Sequence, residues 1–514
     1  MENIKREYRC LTVKGGRWEL NEDARKIICF TSDGELHVSS SHEKSYWVLA
    51  FIDKLRRNNV KFNIKPVSIE EIAQLYSNNT LTCGEKIQSS GRQEEVIAIV
   101  RKAVELKSSD IHIIVKENAT DIKYRVDGEL RRDREMSESD GSDICATIYQ
   151  TMCDVAEPVF NPRRSQDARL MSSALEKCGL YGGRIATRPT DSGLLMVIRL
   201  LYDHGSNNLE LEHLGYIPQQ IAMINRMAAR RFGINILSGP TGSGKSTTLE
   251  CVLKRIIRQR EGKAHVLTLE DPPEYRITGA VQTPIQCDKN DDNAVSKEWA
   301  RAISNAMRLD PDILMCGEVR DLHSAVATFR AAMTGHGVWT TVHANDALAI
   351  LSRLDDIGVS PAIMTDATLV TGLISQVLTR KLCPHCRRSW DQHAPNIDDV
   401  TRQRIEKYCR TVGVFFRGKG CKECGFSGIR GRTVVAEVVE PDDILMDIYS
   451  SQGKNAARRY WVEKLGGLTR NAILIQMINE GIIDPCEGER DVCMLDDDAA
   501  AGLRRKVSMT DACE

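Results

Sequence analysis

Residues 239–246 read GPTGSGKS, after the apolar run FGINIL and before TTLECVLKRII. No other feature constrains the fold as much. A strand-length apolar run leads into a glycine turn, and Leu249, Val252, Leu253, Ile256 and Ile257 then mark one face of a helix. From about residue 213 this rhythm continues through HVLTLEDPPEY, PDILMCGEVRD and VWTTVHAND, which predicts an α/β unit with a parallel sheet. Glycines let backbone N–H groups turn inward around phosphate oxygens. The following helix adds about half a positive charge at its N-terminus. The nucleotide-binding set is therefore Gly239, Pro240, Thr241, Gly242, Ser243, Gly244, Lys245, Ser246 and Thr247. Lys245 is placed to reach the β and γ phosphates of ATP, and Ser246 to hold Mg2+.

Hydrolysis also needs acids that organise metal or water. Glu270, with Asp271 beside it, ends one strand-like run and Glu318 ends another. Ligands bind at the carboxyl edge of a parallel sheet, where both fall. His336 and His343 flank the run GVWTTV and read either as sensors of the phosphates or as satisfied structural residues.

The chain has 17 cysteines, an odd number, and no apolar leader at its start, which favours reduced thiols in a cytoplasm. Cys383, Cys386, Cys421 and Cys424 form two C-x2-C pairs with 34 residues between them. Two such turns complete a tetrahedron suited to structural Zn2+, the alternative being unligated thiols. Basic and acidic residues number 70 and 71, so no nucleic-acid partner is expected. No stretch approaches the roughly 18 apolar residues of a membrane span.

The expected organisation is a variable region over 1–90, an α/β domain over 91–205 and a P-loop ATPase core over 206–380. A tetracysteine subdomain over 381–435, a helical region over 436–490 and a flexible tail over 491–514 follow, with a linker at 203–208. Trp47, Phe51 and Leu55 define one face of a helix in the first region.

Together these residues resemble the secretion ATPase superfamily, the motors of type II secretion and type IV pilus assembly. GPTGSGKSTT looks like its Walker A loop and TLEDPPEY like its Asp box. RLDPDILMCGEVRD looks like its atypical Walker B, with Gly317 where most P-loop enzymes carry aspartate, and MTGHGVWTTVHANDA like its His box. The resemblance implies a RecA-like ATPase domain behind a PAS-like domain, which carries SSDIHI, YRVDGEL and RRSQDARL. It implies Glu270 as general base, Glu318 acting on Mg2+ through water, and His336 and His343 at the γ-phosphate. It further implies that Arg184 and Arg199, with Arg188 a weaker third, are offered to nucleotide. SQVLTRKLC resembles the family's helix leading into the metal site, and the departures, Gln376–Val377 for a Gln-Arg pair and VHAND for LHTND, are expected to touch no phosphate-contacting position.

The implied function is a cytoplasmic ATPase, peripheral at the inner membrane, that assembles into a homo-hexamer. It would power a pilus or secretion pseudopilus through an inner-membrane platform protein. The rivals are a retraction motor, disfavoured by the four cysteines, a conjugative or DNA-translocating ATPase, disfavoured by the balanced charge, and a nucleotide-gated scaffold, disfavoured by Glu270 and Glu318.

Overall fold

The computed structural model describes residues 10–12, 18, 20, 22–40, 42, 45–57, 60–78, 85–155, 159–171, 175, 178–202, 209–285 and 292–503. The expected linker at 203–208 lies outside them. The chain divides into two compact units, Met1–Ala98 and Ile99–Glu514.

In the first unit β1 (Ile28–Phe30), β2 (Glu35–Ser39) and β3 (Asn63–Val67) form one sheet in that order. The helix Tyr46–Arg57 packs Val48, Phe51 and Leu55 on Ile28, Phe30, Leu36 and Val38. Trp47 stands at the margin of that face: it is exposed, because the buried stripe of Val48, Phe51 and Leu55 is centred about 70° around the helix from the indole.

The second unit holds two large sheets. The first is antiparallel throughout and follows the order β6-β5-β4-β10-β9-β8-β7. Its strands are β4 (Asp110–Val115), β5 (Thr120–Val126), β6 (Glu129–Met136), β7 (Cys153–Val155), β8 (Gln166–Leu170), β9 (Leu180–Thr190) and β10 (Gly193–Tyr202). At one margin the charged ELRRDREM of β6 has no fully buried residue, as an edge strand that must not pair further requires.

The second sheet runs β13-β12-β14-β15-β11-β16-β19 and is parallel except between its last two strands. It comprises β11 (Gly233–Ser238), β12 (Val266–Glu270), β13 (Ala280–Pro284), β14 (Ile313–Cys316), β15 (Gly337–Val342), β16 (Val370–Leu382) and β19 (Ile429–Val439). Every residue of β11, β14 and β15 is buried, which explains runs that are apolar without alternation: helices cover both faces. β17 (Arg388–Ser389) and β18 (Phe415–Phe416) pair between β16 and β19, beside the cysteines.

Two expectations are corrected here. Residues 375–382 of SQVLTRKLC form the second half of β16, not a helix, because they are paired along their length with β19. The start of the expected tail is anchored: Leu495 sits in a cluster with Ile473, Leu474 and Ile478, Val492 and Cys493 pack against it, and Asn471 Nδ2 donates to Met494 O at 2.7 Å. Anchors so irregularly spaced, with Leu503 packed on another cluster, leave no periodic trace. Residues 504–514 lie outside the described residues.

The β5–β6 turn ties the antiparallel sheet to the cysteine region. Arg417 grips Glu129 through both terminal guanidinium nitrogens, at 2.7 and 3.1 Å, while Nη1 also reaches Glu487 at 2.9 Å. Arg380 Nε donates to Asp127 O in the same turn at 3.1 Å. Bidentate guanidinium–carboxylate pairs fix orientation as well as contact.

Candidate functional site

The glycine loop follows the end of β11, and the helix Lys245–Gln259 starts directly after it. Gly244 caps that helix with φ 85°, where a side chain would be strained. Gly239 is needed for space: a Cβ there would stand 2.2 Å from Gln376 O. A glycine cap has no side chain to occupy the first helical N–H groups, which stay available for an anion. Lys245 Nζ donates to Gly239 O at 2.8 Å and Pro240 O at 3.2 Å. Burial pulls its ammonium below the ordinary lysine range, while the Glu318 and Glu274 carboxylates pull it back up. Pro240, Thr241 and Gly242 are exposed, Ser246 is half-buried, and Ser243 lies beneath the loop. Pro240 has no N–H to give, so its carbonyl is its only backbone partner.

β14 leads to Gly317 and Glu318, and β15 to His343. Glu318 Oε1 and His343 Nε2 are 3.0 Å apart, and Arg320 Nε donates to Glu318 Oε2 at 2.9 Å. Gly317 accounts for the missing aspartate: its N–H donates to Leu269 O, and a Cβ would press within 3.2 Å of that oxygen and 3.3 Å of the Trp299 ring. Glu270 closes β12, where Thr268 Oγ1 and Gln282 Nε2 both donate to its Oε1, at 2.6 and 3.0 Å. Burial raises its pKa, and those two donors oppose the rise. The Asp-box segment folds back onto the phosphate loop, since Tyr275 OH and Thr247 Oγ1 are 3.1 Å apart.

His336 does not join this group. β15 pairs with β11 from Gly337↔Gly233 to Val342↔Ser238, so His336 stands at the other edge of the sheet. At about 3.3 Å per residue that is roughly 20 Å from His343. Its Nδ1 lies 2.9 Å from Ala331 O, so it takes the structural alternative. A flanking pair in sequence necessarily occupies opposite ends of the strand it flanks.

Arg184 and Arg199 face each other across β9 and β10. Arg169 on β8 pairs with Arg184, Asp110 on β4 pairs with Arg199, and Arg125 on β5 pairs with Asp110, so one cross-strand row carries four arginines and an aspartate. Arg199 Nε donates to Asp110 Oδ1 at 3.0 Å. Among the described residues neither Arg184 nor Arg199 bonds to the phosphate loop of its own chain.

The four cysteines converge. All four sulfurs lie within 4.8 Å of one another, with Cys383–Cys421 at 3.8 Å, Cys386–Cys424 at 3.9 Å and Cys421–Cys424 at 3.8 Å. A tetrahedron with Zn–S of about 2.3 Å has edges of about 3.8 Å, so the set fits zinc. The Cys421 and Gly428 N–H groups each donate to Cys424 Sγ at 3.2 Å. Desolvation pushes that thiol up, and these donors together with the Cys421 and Cys386 thiols outweigh it, bringing it to about 6.

The family described as type II/IV secretion system protein matches residues 88–488. Type II secretion system protein E of Klebsiella pneumoniae is 35% identical over 405 residues, 76% of this chain and 76% of that protein. Type II secretion system ATPase E of Vibrio cholerae is 33% identical over 370 residues, 71% of this chain and 68% of its own. The chain belongs to the type II/IV secretion ATPase family. The crystal structure of the pilus retraction motor PilT with bound ADP has the same fold, with a TM-score of 0.52 at 21% identity over 77% of this chain and 96% of that one.

Within this secretion ATPase, several contacts escaped sequence reasoning. Thr268 and Gln282 orient Glu270, Tyr275 meets Thr247, and Arg169 extends the arginine row. Gln376, expected to lie away from the phosphates, is buried under the loop and donates to Ser243 O at 2.7 Å. Thr268 and Tyr275 stand in the quoted TLEDPPEY, Thr247 in GPTGSGKSTT and Arg169 in RRSQDARL, but nothing in those runs assigns the contacts; Gln282 and Gln376 reach the site through pairing between strands. Among the described residues no helix is long and apolar enough to cross a membrane.

Proposed function

We propose that this chain is an ATP-hydrolysing motor that powers assembly of a type II secretion pseudopilus or type IV pilus through an inner-membrane platform protein. The observation that carries this reading is the carboxyl edge of the parallel sheet, where the phosphate loop, the Glu318–His343 pair and Glu270 stand on neighbouring elements. Gly239–Thr247 hold ATP, with Lys245 on the β and γ phosphates. Ser246 and Glu318, the latter through water, are the residues that would hold Mg2+, which would shield the phosphate charge. Glu270 takes the proton of the attacking water, and His343 contacts the γ-phosphate.

The antiparallel sheet, read as a PAS-like domain over 91–205, stacks on the neighbouring subunit's core (206–380) in a hexamer. That arrangement brings Arg184, Arg199 and Arg169 to a neighbour's nucleotide, which fits a guanidinium row with no bond to its own loop. Cys383, Cys386, Cys421 and Cys424 hold a structural Zn2+, and the machine works in the cytoplasm at the inner membrane with no nucleic-acid partner.

The test is ATP turnover, nucleotide titration and light-scattering mass on wild type, Lys245→Ala, Arg184→Ala and Arg199→Ala. Lys245→Ala is expected to lose nucleotide binding and turnover together. The arginine variants are expected to bind ATP and keep their mass while turnover falls roughly ten- to a hundredfold each, the worth of one charged hydrogen bond. Arginine variants with wild-type turnover would remove the row from the site. A wild type without ATPase activity would end the motor reading.

A further inference from the structure

Gln376 sits in β16 where that strand passes under the phosphate loop, and its side chain is completely buried. Its amide has three partners. Nε2 donates to Ser243 O at 2.7 Å, while Oε1 accepts from Tyr216 OH at 2.6 Å and from Thr248 Oγ1 at 3.0 Å. A carbonyl oxygen accepts only, so the NH2 end must face Ser243 and the amide has one orientation. The same residue also touches the loop at both ends. Its backbone oxygen lies against Gly239, and Nε2 stands 3.4 Å from where a Cβ on Gly244 would be.

The consequence follows from the peptide bond. A trans peptide is planar, so the Ser243 carbonyl and the Gly244 N–H point in opposite directions. Holding Ser243 O down on β16 turns the Gly244 N–H up, to the side on which a phosphate cradle presents its donors. We infer that Gln376 is a positioning residue for the phosphate loop: its amide sets the 243–244 peptide plane and so aims the Gly244 N–H at the nucleotide phosphates. This rests on reading the loop as a nucleotide site. Tyr216 and Thr248 act one step further out. Their hydroxyls grip Oε1 and keep the amide from turning over, so the loop inherits its orientation from the core.

Two substitutions separate this role from packing. Gln376→Leu removes the donor and nearly preserves the volume. Gln376→Glu preserves shape and the acceptor for both hydroxyls, but it can donate to Ser243 O only while protonated. The full-length chain is titrated with ADP and Mg2+ by calorimetry across a pH series, with thermal unfolding of the nucleotide-free protein alongside. Gln376→Leu is expected to bind about tenfold more weakly at every pH, the worth of one buried hydrogen bond. Gln376→Glu is expected to bind as wild type at the acid end and to lose about tenfold as its carboxyl ionises and two oxygens face each other. That fall is read relative to the wild-type profile.

A purely structural Gln376 would lower the unfolding temperature in both variants and leave the affinities and their pH dependence as in wild type. That result overturns the inference. Should Gln376→Leu not fold, the Gln376→Glu profile decides alone. A wild type that binds no nucleotide refutes the nucleotide site itself. A wild type that binds, with both variants matching it, refutes only the role of Gln376.

Discussion

Replacing Glu270 with glutamine is expected to leave ATP bound and to slow turnover about 10²–10⁴-fold, the usual worth of a positioned general base. The substitution is selective because Thr268 Oγ1 and Gln282 Nε2 both donate to Oε1. Glutamine keeps an oxygen there, so orientation survives and only the capacity to take a proton is lost. Burial raises the Glu270 pKa, with Thr268 and Gln282 acting against it. The catalytic form is ionised, so wild-type activity is lost as pH falls through this raised value. The acid limb of the rate profile is therefore expected above the ordinary glutamate pKa of 4.5.

The stability sign is opposite to that of a salt-bridged carboxylate. A carboxyl whose pKa is raised by folding holds its proton more tightly in the folded chain, so ionising it at higher pH works against folding. Glu270→Gln should therefore unfold at or above the wild-type temperature near neutral pH. Turnover within a few-fold of wild type, measured with ATP saturating, would take the base role away from Glu270 and turn attention to Glu318.

What could be read in the sequence was what the chain keeps close together. The phosphate loop is contiguous, and each cysteine pair is a four-residue turn, so spacing alone carries their chemistry. The parallel sheet was legible in the repeated strand and helix rhythm, whereas its order was not. Gln376 is 133 residues from Ser243 and meets it only because β16 is laid beside β11. The arginine row has the same origin: residues 169, 184, 199 and 110 align because four antiparallel strands share a register. SQVLTRKLC was misread, and His336 was left between two readings, for related reasons. Spacing does not say which end of a strand faces the ligand, nor that residues 375–382 are laid beside β19, which comes about fifty residues later in the chain.

Cys421→Ser is expected to release zinc and unfold the region between β16 and β19 while the parallel sheet stays intact. Elemental analysis of wild type should find about one zinc per chain, the count of a closed four-sulfur site. Apparent metal-binding energies of about 10–16 kcal/mol in zinc-finger peptides exceed the few kcal/mol that so small a segment gains from its own core. The local backbone depends on the sulfurs staying together: a Cβ on Gly418 would fall 1.7 Å from Cys386 O, and Arg417 Nε donates to Ser427 O beside Cys424. Loss of metal should therefore free Arg417 from Glu129 as well, loosening the hold on the β5–β6 turn. Limited proteolysis is the direct measure. New cleavage between Cys386 and Cys421 is expected in Cys421→Ser and in wild type treated with a strong chelator, with the β11–β15 region still protected. Wild type that is zinc-free by elemental analysis yet as resistant to protease as the zinc-loaded protein would show that the four thiols hold no structural metal.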